Sequence, residues 1–171
     1  MTMRFSDKVA LVFGGNSGIG LAAAQAFAAE GARVVITGRD PKTLASAAER
    51  IGPGTLALQS DISSLADLDA LYAEVGAKHG RVDVLFVNAG VGTFAPVREV
   101  TPERWDEVHQ VNLRGAFFAA QKALPLMSRG GAIVFTGSIG SVLAAPGNAI
   151  YAAAKALEIA KARGVGIQLP I

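Results

Sequence analysis

The 171-residue sequence contains no cysteine, which excludes disulfides, thiolate nucleophiles and cysteine-ligated metals and gives no reason to invoke an oxidising compartment. Histidine is almost as scarce. His79 and His109 stand far apart in no metal-ligand pattern, so no metal is expected and each reads as a solvated helix position. Charge of either sign is sparse: sixteen Lys and Arg oppose fourteen Asp and Glu, leaving a formal charge of +2 with no basic run. Neither a nucleic acid nor a membrane surface is an expected partner. Long apolar runs are also missing. The stretch Val9–Phe13 is too short for a signal-peptide core, and nothing approaches the roughly 20 residues needed to cross a bilayer, so a cytoplasmic protein is expected.

What the chain has in quantity is apolar residues, 51% of the total, together with 20 glycines. That excess suits a parallel sheet covered by helices on both faces, and the length suits one domain over residues 1–171. Short β-branched runs alternate with alanine-rich amphipathic segments, the sequence form of repeated βαβ units. Strands are expected at Val9–Phe13, Arg33–Thr37, Thr55–Gln59, Val82–Val87 and Ala132–Thr136, with a possible sixth at Val165–Leu169. Helices are expected over Ile19–Glu30, Pro41–Ile51, Ser64–His79, Pro102–Met127 and Asn148–Arg163. Asp40-Pro41 and Thr101-Pro102 each place a capping side chain before a proline at the first helical position, while Gly31, Gly80 and Gly164 read as helix stops. Right-handed crossovers between such strands give an α/β, Rossmann-type doubly wound sheet, with ligands beyond the carboxyl ends of the strands where strand order reverses.

The first expected strand runs into Gly14-Gly15-Asn16-Ser17-Gly18-Ile19-Gly20, which opens a helix. Glycines there permit a tight turn and close backbone approach to a pyrophosphate, and the free N–H groups and dipole of the helix start favour its charge. At the end of the second strand, where an acidic side chain would take the ribose hydroxyls, stand Gly38 and Arg39. Without the acid a 2′-phosphate is not repelled, and Arg39 can bond to it or lie over the adenine, so NADP(H) is preferred over NAD(H); its other reading is a solvated residue before a helix. One charge-assisted bond of roughly 1.5–3 kcal/mol supports about a 10- to 100-fold preference. Tyr151 and Lys155 are four residues apart on one helix face, and a nearby ammonium favours the phenolate that a working acid/base needs.

The GxxxGxG spacing, Asn88-Ala89-Gly90 after the fourth strand, Ser138 after the fifth and Tyr151-Ala152-Ala153-Ala154-Lys155 beyond it occur in one order that resembles the short-chain dehydrogenase/reductase family, over roughly Lys8 to Lys155. The resemblance implies a hydride passing between a nicotinamide and an alcohol or carbonyl substrate while Tyr151 exchanges a proton with the substrate oxygen. It implies that Lys155 also binds the nicotinamide ribose, that Ser138 holds the substrate oxygen, and that Asn112 positions a water in the proton relay. The plain readings of these last two are a turn-forming hydroxyl and a buried amide satisfying backbone groups. Asp61-Ile62 matches the family position holding the adenine; helix capping is the alternative for Asp61. Members of the family continue through a further strand, a substrate lid and a last strand, so this sequence, ending at Ile171, is expected to lack the last strands and much of the substrate pocket. Homo-oligomers of the family associate through the two helices expected at Pro102–Met127 and Asn148–Arg163. Two functions of different class follow: an NADP(H)-dependent oxidoreductase, and a nucleotide-binding or interaction module that keeps the signature without turnover.

Overall fold

Strand β1 (Val9–Phe13) carries no polar side chain, and all five of its residues are fully buried, the condition of a central strand in a parallel sheet covered on both sides. The structure, a computed structural model, describes residues 3–143 and 145–166, with 158–166 described by backbone alone. Beside β1 lie β2 (Arg33–Gly38), β3 (Leu56–Gln59), β4 (Val84–Val87) and β5 (Ala132–Phe135), in the order β3-β2-β1-β4-β5, all parallel. Side-chain alternation sorts the core into two layers. Val9, Leu11 and Phe13 pack towards α3 (Leu65–His79) and α5 (Ala116–Ala123), while Val12 and Ile36 pack towards α1 (Gly18–Ala29) and α2 (Pro41–Ile51). Just ahead of β4, the buried carboxylate of Asp83 accepts the Val9 N–H at 2.9 Å and is flanked by Arg81 and Lys8, so a charged group closes the entry edge of the central strand pair.

The caps expected at Asp40 and Thr101 are present, their side chains accepting N–H bonds from Lys42 and Arg104 at the starts of α2 and α4 (Pro102–His109), and Ser64, expected inside its helix, caps α3 by accepting from the Asp67 N–H. Gly31 and Gly80 close α1 and α3 with positive φ.

Four expectations are corrected. The single helix over Pro102–Met127 is instead α4, a wider π-helical turn at Gln110–Gly115, α5, and a 3₁₀ turn at Leu124–Leu126. Long-range contacts explain the break: Asn112 is held by the Val91 backbone, and a Cβ on Gly115 would lie 2.5 Å from the Ile62 carbonyl oxygen, so helix and loop meet too closely for regular winding. Gly164 does not stop α6, which runs over Ala149–Gly166; glycine permits a helix end but, at a cost of roughly 1 kcal/mol relative to alanine, does not impose one. Val165 and Gly166 are therefore helical rather than the start of a sixth strand, whose remaining residues, 167–169, lie outside the described ones. The two histidines are half-buried rather than solvated: His109 stacks on Trp105 at 4.0 Å, and Nε2 of His79 is buried without a partner. Burial, then the charges of Arg33 and Lys78, lower the pKa of His79.

Candidate active site

Strand order reverses between β1 and β4, and a groove of about 550 Å³ opens there beyond the carboxyl ends of β1 to β4. Its floor is the Gly14–Gly20 turn. Gly14 has φ +70°, and a Cβ on Gly20 would lie 2.1 Å from the Gly14 carbonyl oxygen, so only a hydrogen lets α1 start this close to the turn. Unlike α2, α3 and α4, α1 has no side-chain cap: the hydroxyl of Ser17 makes no capping bond, and the first-turn N–H groups keep their capacity for an anion. An uncapped helix start against a closely approached turn fits the pyrophosphate of a dinucleotide.

The groove brings together Gly14, Asn16, Ser17, Gly18, Ile19, Arg39, Asp61, Ile62, Asn88, Ala89 and Gly90. Gly20 sits behind this surface. Arg39 is exposed beside Gly38 at the end of β2, and its carbonyl oxygen accepts from Gln59 Nε2 at 2.9 Å. Asp61 does not cap α3, a task that falls to Ser64; its carboxylate instead takes the N–H and hydroxyl of Ser63, at 2.9 and 2.7 Å. The Asp61 N–H and the Ser64 hydroxyl, in that order, lower the pKa of Asp67 at the start of α3.

A second cavity, of about 460 Å³, adjoins the groove and holds Ser138, Tyr151 and Lys155. Its position follows from how α6 is rotated. Ile150 and Ala154 bury themselves against Val108 of α4, so the residues one step further on, Tyr151 and Lys155, face the cavity. Lys155 is 3% exposed, a costly place for an ammonium unless it is bonded, and its Nζ donates to the Thr136 carbonyl oxygen at 2.7 Å while lying 5.8 Å from the Tyr151 ring centre. Ser138 Oγ accepts the Gly140 N–H at 3.1 Å, which leaves its proton free to point elsewhere. Asn112, fully buried in the π-helical turn, accepts from the Val91 N–H and donates to the Val91 carbonyl oxygen, both at 2.8 Å. Its amide satisfies backbone groups and holds the segment that follows Asn88-Ala89-Gly90.

The sequence did not signal several participants. Thr136 anchors Lys155 through its carbonyl oxygen, and its hydroxyl donates to Asn88 Oδ1 at 3.0 Å, linking the ends of β4 and β5. Phe94, whose ring lies 6.1 Å from that of Tyr151, lines the second cavity. A carbonyl oxygen belongs to every residue, so nothing in composition singles out Thr136; an aromatic residue after Asn88-Ala89-Gly90 was the one available hint of Phe94.

An α/β sheet with a dinucleotide groove at its switch point, opening onto a tyrosine and a buried lysine on one helix, defines a doubly wound nucleotide-binding protein. Residues 8–165 match the family described as short chain dehydrogenase, and the chain belongs to that family of oxidoreductases. The oxidoreductase asL5 of Sarocladium schorii is 43% identical over 155 residues, which are 90% of this chain and 62% of that protein. The chain thus spans about three fifths of the length of this relative. Among solved structures, a 3-ketoacyl-(acyl-carrier-protein) reductase from Brucella melitensis complexed with NADH is similar at TM-score 0.90 and 34% identity, covering 95% of this chain and 70% of that one. A short chain dehydrogenase from Burkholderia cenocepacia J2315 in complex with NADP matches at TM-score 0.89 and 32% identity, covering 96% and 69%. Among the described residues, no helix is long and apolar enough to cross a membrane.

Proposed function

We propose that the groove binds NADP(H) in preference to NAD(H), and that the protein is an oxidoreductase of an alcohol or carbonyl substrate with Tyr151 as its acid/base. The observation that carries this reading is the shared wall of the two cavities: Ile19, Asn88, Gly90 and Val91 line both, so a dinucleotide lying along the groove ends beside Ser138, Tyr151 and Lys155. The bound nicotinamide supplies or accepts the hydride. Tyr151 gives a proton to the substrate oxygen in reduction and takes it back in oxidation. Lys155, buried and fixed by Thr136, lies beside the phenolic ring, where an ammonium stabilises negative charge on the phenolic oxygen, and reaches the nicotinamide ribose. Ser138, with its oxygen already accepting from Gly140, turns its proton to the substrate oxygen. Asn112 serves the proton relay by fixing Val91 and the adjoining wall.

The preference for NADP(H) rests on Arg39 and on the absence of an acid at Gly38. Cytoplasmic residence and self-association through α4, α5 and α6, where Trp105 and Phe117 expose aromatic surface, belong to the same proposal.

Calorimetric titration with NADPH and NADH tests the cofactor reading: NADPH is expected to bind at least about tenfold more tightly, and equal affinities would refute the role of Arg39. Tyr151→Phe tests the chemistry. It should abolish carbonyl reduction while NADPH still binds; reduction undiminished by that change would refute the acid/base role, and NADPH binding without turnover of any carbonyl would leave a nucleotide-binding module.

A further inference from the structure

We infer that Asp67 is a positioning residue for the adenine of the cofactor, fixing Asp61 so that one carboxylate oxygen stands ready in the groove; the inference rests on the proposed binding of NADP(H) there. Asp67 itself does not line the groove. It lies behind Asp61, beside a separate hollow at the start of α3. Its Oδ2 accepts the Asp61 N–H at 2.9 Å and its Oδ1 accepts the Ser64 hydroxyl at 2.7 Å, while Ser64 Oγ accepts the Asp67 N–H at 3.2 Å. An acid at the third position of a helix ordinarily reaches back to the N–H of the capping residue. Here the Ser64 N–H is already bonded to the Asp61 carbonyl at 3.0 Å, and the carboxylate reaches further back, to Asp61.

Every polar group of Asp61 but one is thereby engaged. Asp67 holds its N–H, Ser64 its carbonyl, and Ser63 its Oδ1 through both N–H and hydroxyl, at 2.9 and 2.7 Å. Only Oδ2 has no partner among the described residues, and Asp61 lines the groove. The N–H of Ile62, the next groove residue, likewise bonds to nothing among the described residues. An acceptor beside a donor complements the edge of adenine, whose amine donates and whose neighbouring ring nitrogen accepts. On the other side, Arg114 donates to the Ser63 carbonyl at 3.2 Å and Gly115 packs on the Ile62 carbonyl, but only Asp67 grips the main chain of Asp61 from outside the turn. Without Asp67 the 60–61 peptide loses that anchor, and the Asp61 side chain must be immobilised when the ligand arrives. That cost falls on recognition of the base and not on the rest of the dinucleotide.

Deamino-NADPH, in which hypoxanthine replaces adenine, reverses donor and acceptor on that edge and leaves the rest of the dinucleotide unchanged. In calorimetric titrations the wild type should bind NADPH at least about tenfold more tightly than this analogue. Asp67→Ala should bring the ratio below about threefold, chiefly by weakening NADPH. Asp67→Asn, whose amide can accept the Asp61 N–H and donate to Ser64 Oγ, should restore it to within about twofold of wild type. A merely structural role would weaken both ligands alike, so a ratio unchanged by Asp67→Ala would overturn the inference and leave adenine recognition by Asp61 intact. Amide hydrogen exchange of the unliganded wild type needs no substitution: the Asp61 N–H should exchange at least about 100-fold more slowly than an unstructured amide, and exchange at the unstructured rate would overturn the hold of Asp67. Equal binding of NADPH and its deamino analogue by the wild type would overturn the adenine reading of Asp61, and this inference with it, while the preference for NADP(H) at Arg39 is read separately against NADH.

Discussion

Removing the Asn112 amide should cost far more stability than its one side chain would indicate, because two backbone groups depend on it. Asn112 is fully buried, and both of its bonds, at 2.8 Å, go to the N–H and carbonyl of Val91. Asn112→Ala leaves a partly buried donor and a partly buried acceptor of Val91 without their side-chain partner, at up to about 1–2 kcal/mol each, so a loss of about 1–4 kcal/mol is expected from a domain whose total stability is on the order of 5–15 kcal/mol. Asn112→Asp separates geometry from charge. When protonated, the introduced carboxyl donates to the Val91 carbonyl and accepts from its N–H as the amide does; when ionised, it turns an oxygen against that carbonyl. Burial and that opposed oxygen raise its folded-state pKa above the unfolded value of about 3.9. The stability it contributes is therefore present below about pH 3.9 and lost as pH rises through the folded-state pKa. Urea unfolding of wild type, Asn112→Ala and Asn112→Asp from pH 4 to 8 provides the assay, with wild type subtracted at each pH to remove the common titrations. The gap between Asn112→Asp and wild type should widen as pH rises, and the Asn112→Ala gap should stay nearly level. A pH-independent Asn112→Asp gap, or an Asn112→Ala loss under about 0.5 kcal/mol, would refute the claim that Val91 depends on this amide.

Asp83 has the opposite pH signature. Burial alone would raise its pKa, but the Val9 N–H, Arg81 and Lys8 together outweigh it, and the net shift is downward. The stability contributed by its ionised form is thus present above the unfolded pKa and lost as pH falls through the folded one. Asp83→Asn should cost about 1–3 kcal/mol in urea unfolding at pH 7, with the difference shrinking towards pH 3. Gly20→Ala brings a methyl to 2.1 Å from the Gly14 oxygen, so calorimetry should find NADPH affinity reduced by at least about 100-fold; near-normal binding would show that the turn relaxes freely. Lys155→Met retains the buried stem but removes the charge and the bond to Thr136. Initial rates of carbonyl reduction should fall by about 100-fold or more, and an undiminished rate would remove Lys155 from the chemistry.

The periodicity of the sequence was sufficient for the sheet and for α1 to α3, because buried strands and capped helices are written in local residue choice. All-apolar Val9–Phe13 has few alternatives to a central strand, and Asp40-Pro41 and Thr101-Pro102 mark helix starts through bonds only two or three residues long. The glycine spacing and the Tyr151–Lys155 interval were legible for the same reason: each is a short-range geometric requirement. The interruption at Gln110–Gly115 was not, since it is caused by Val91 and Ile62, residues distant in sequence that press on an otherwise regular helical pattern. Nor was the anchoring of Lys155 by Thr136, the closure of the sheet entry by Asp83, or the pairing of Phe94 with Tyr151. The sequence by itself determined the five strands, α1 to α3, the glycine turn and the Tyr151–Lys155 interval, because those depend on neighbours along the chain. Only the tertiary structure decided which polar groups are buried, bonded or left facing a ligand, because that depends on atoms contributed by segments that meet only when the sheet and its helices close.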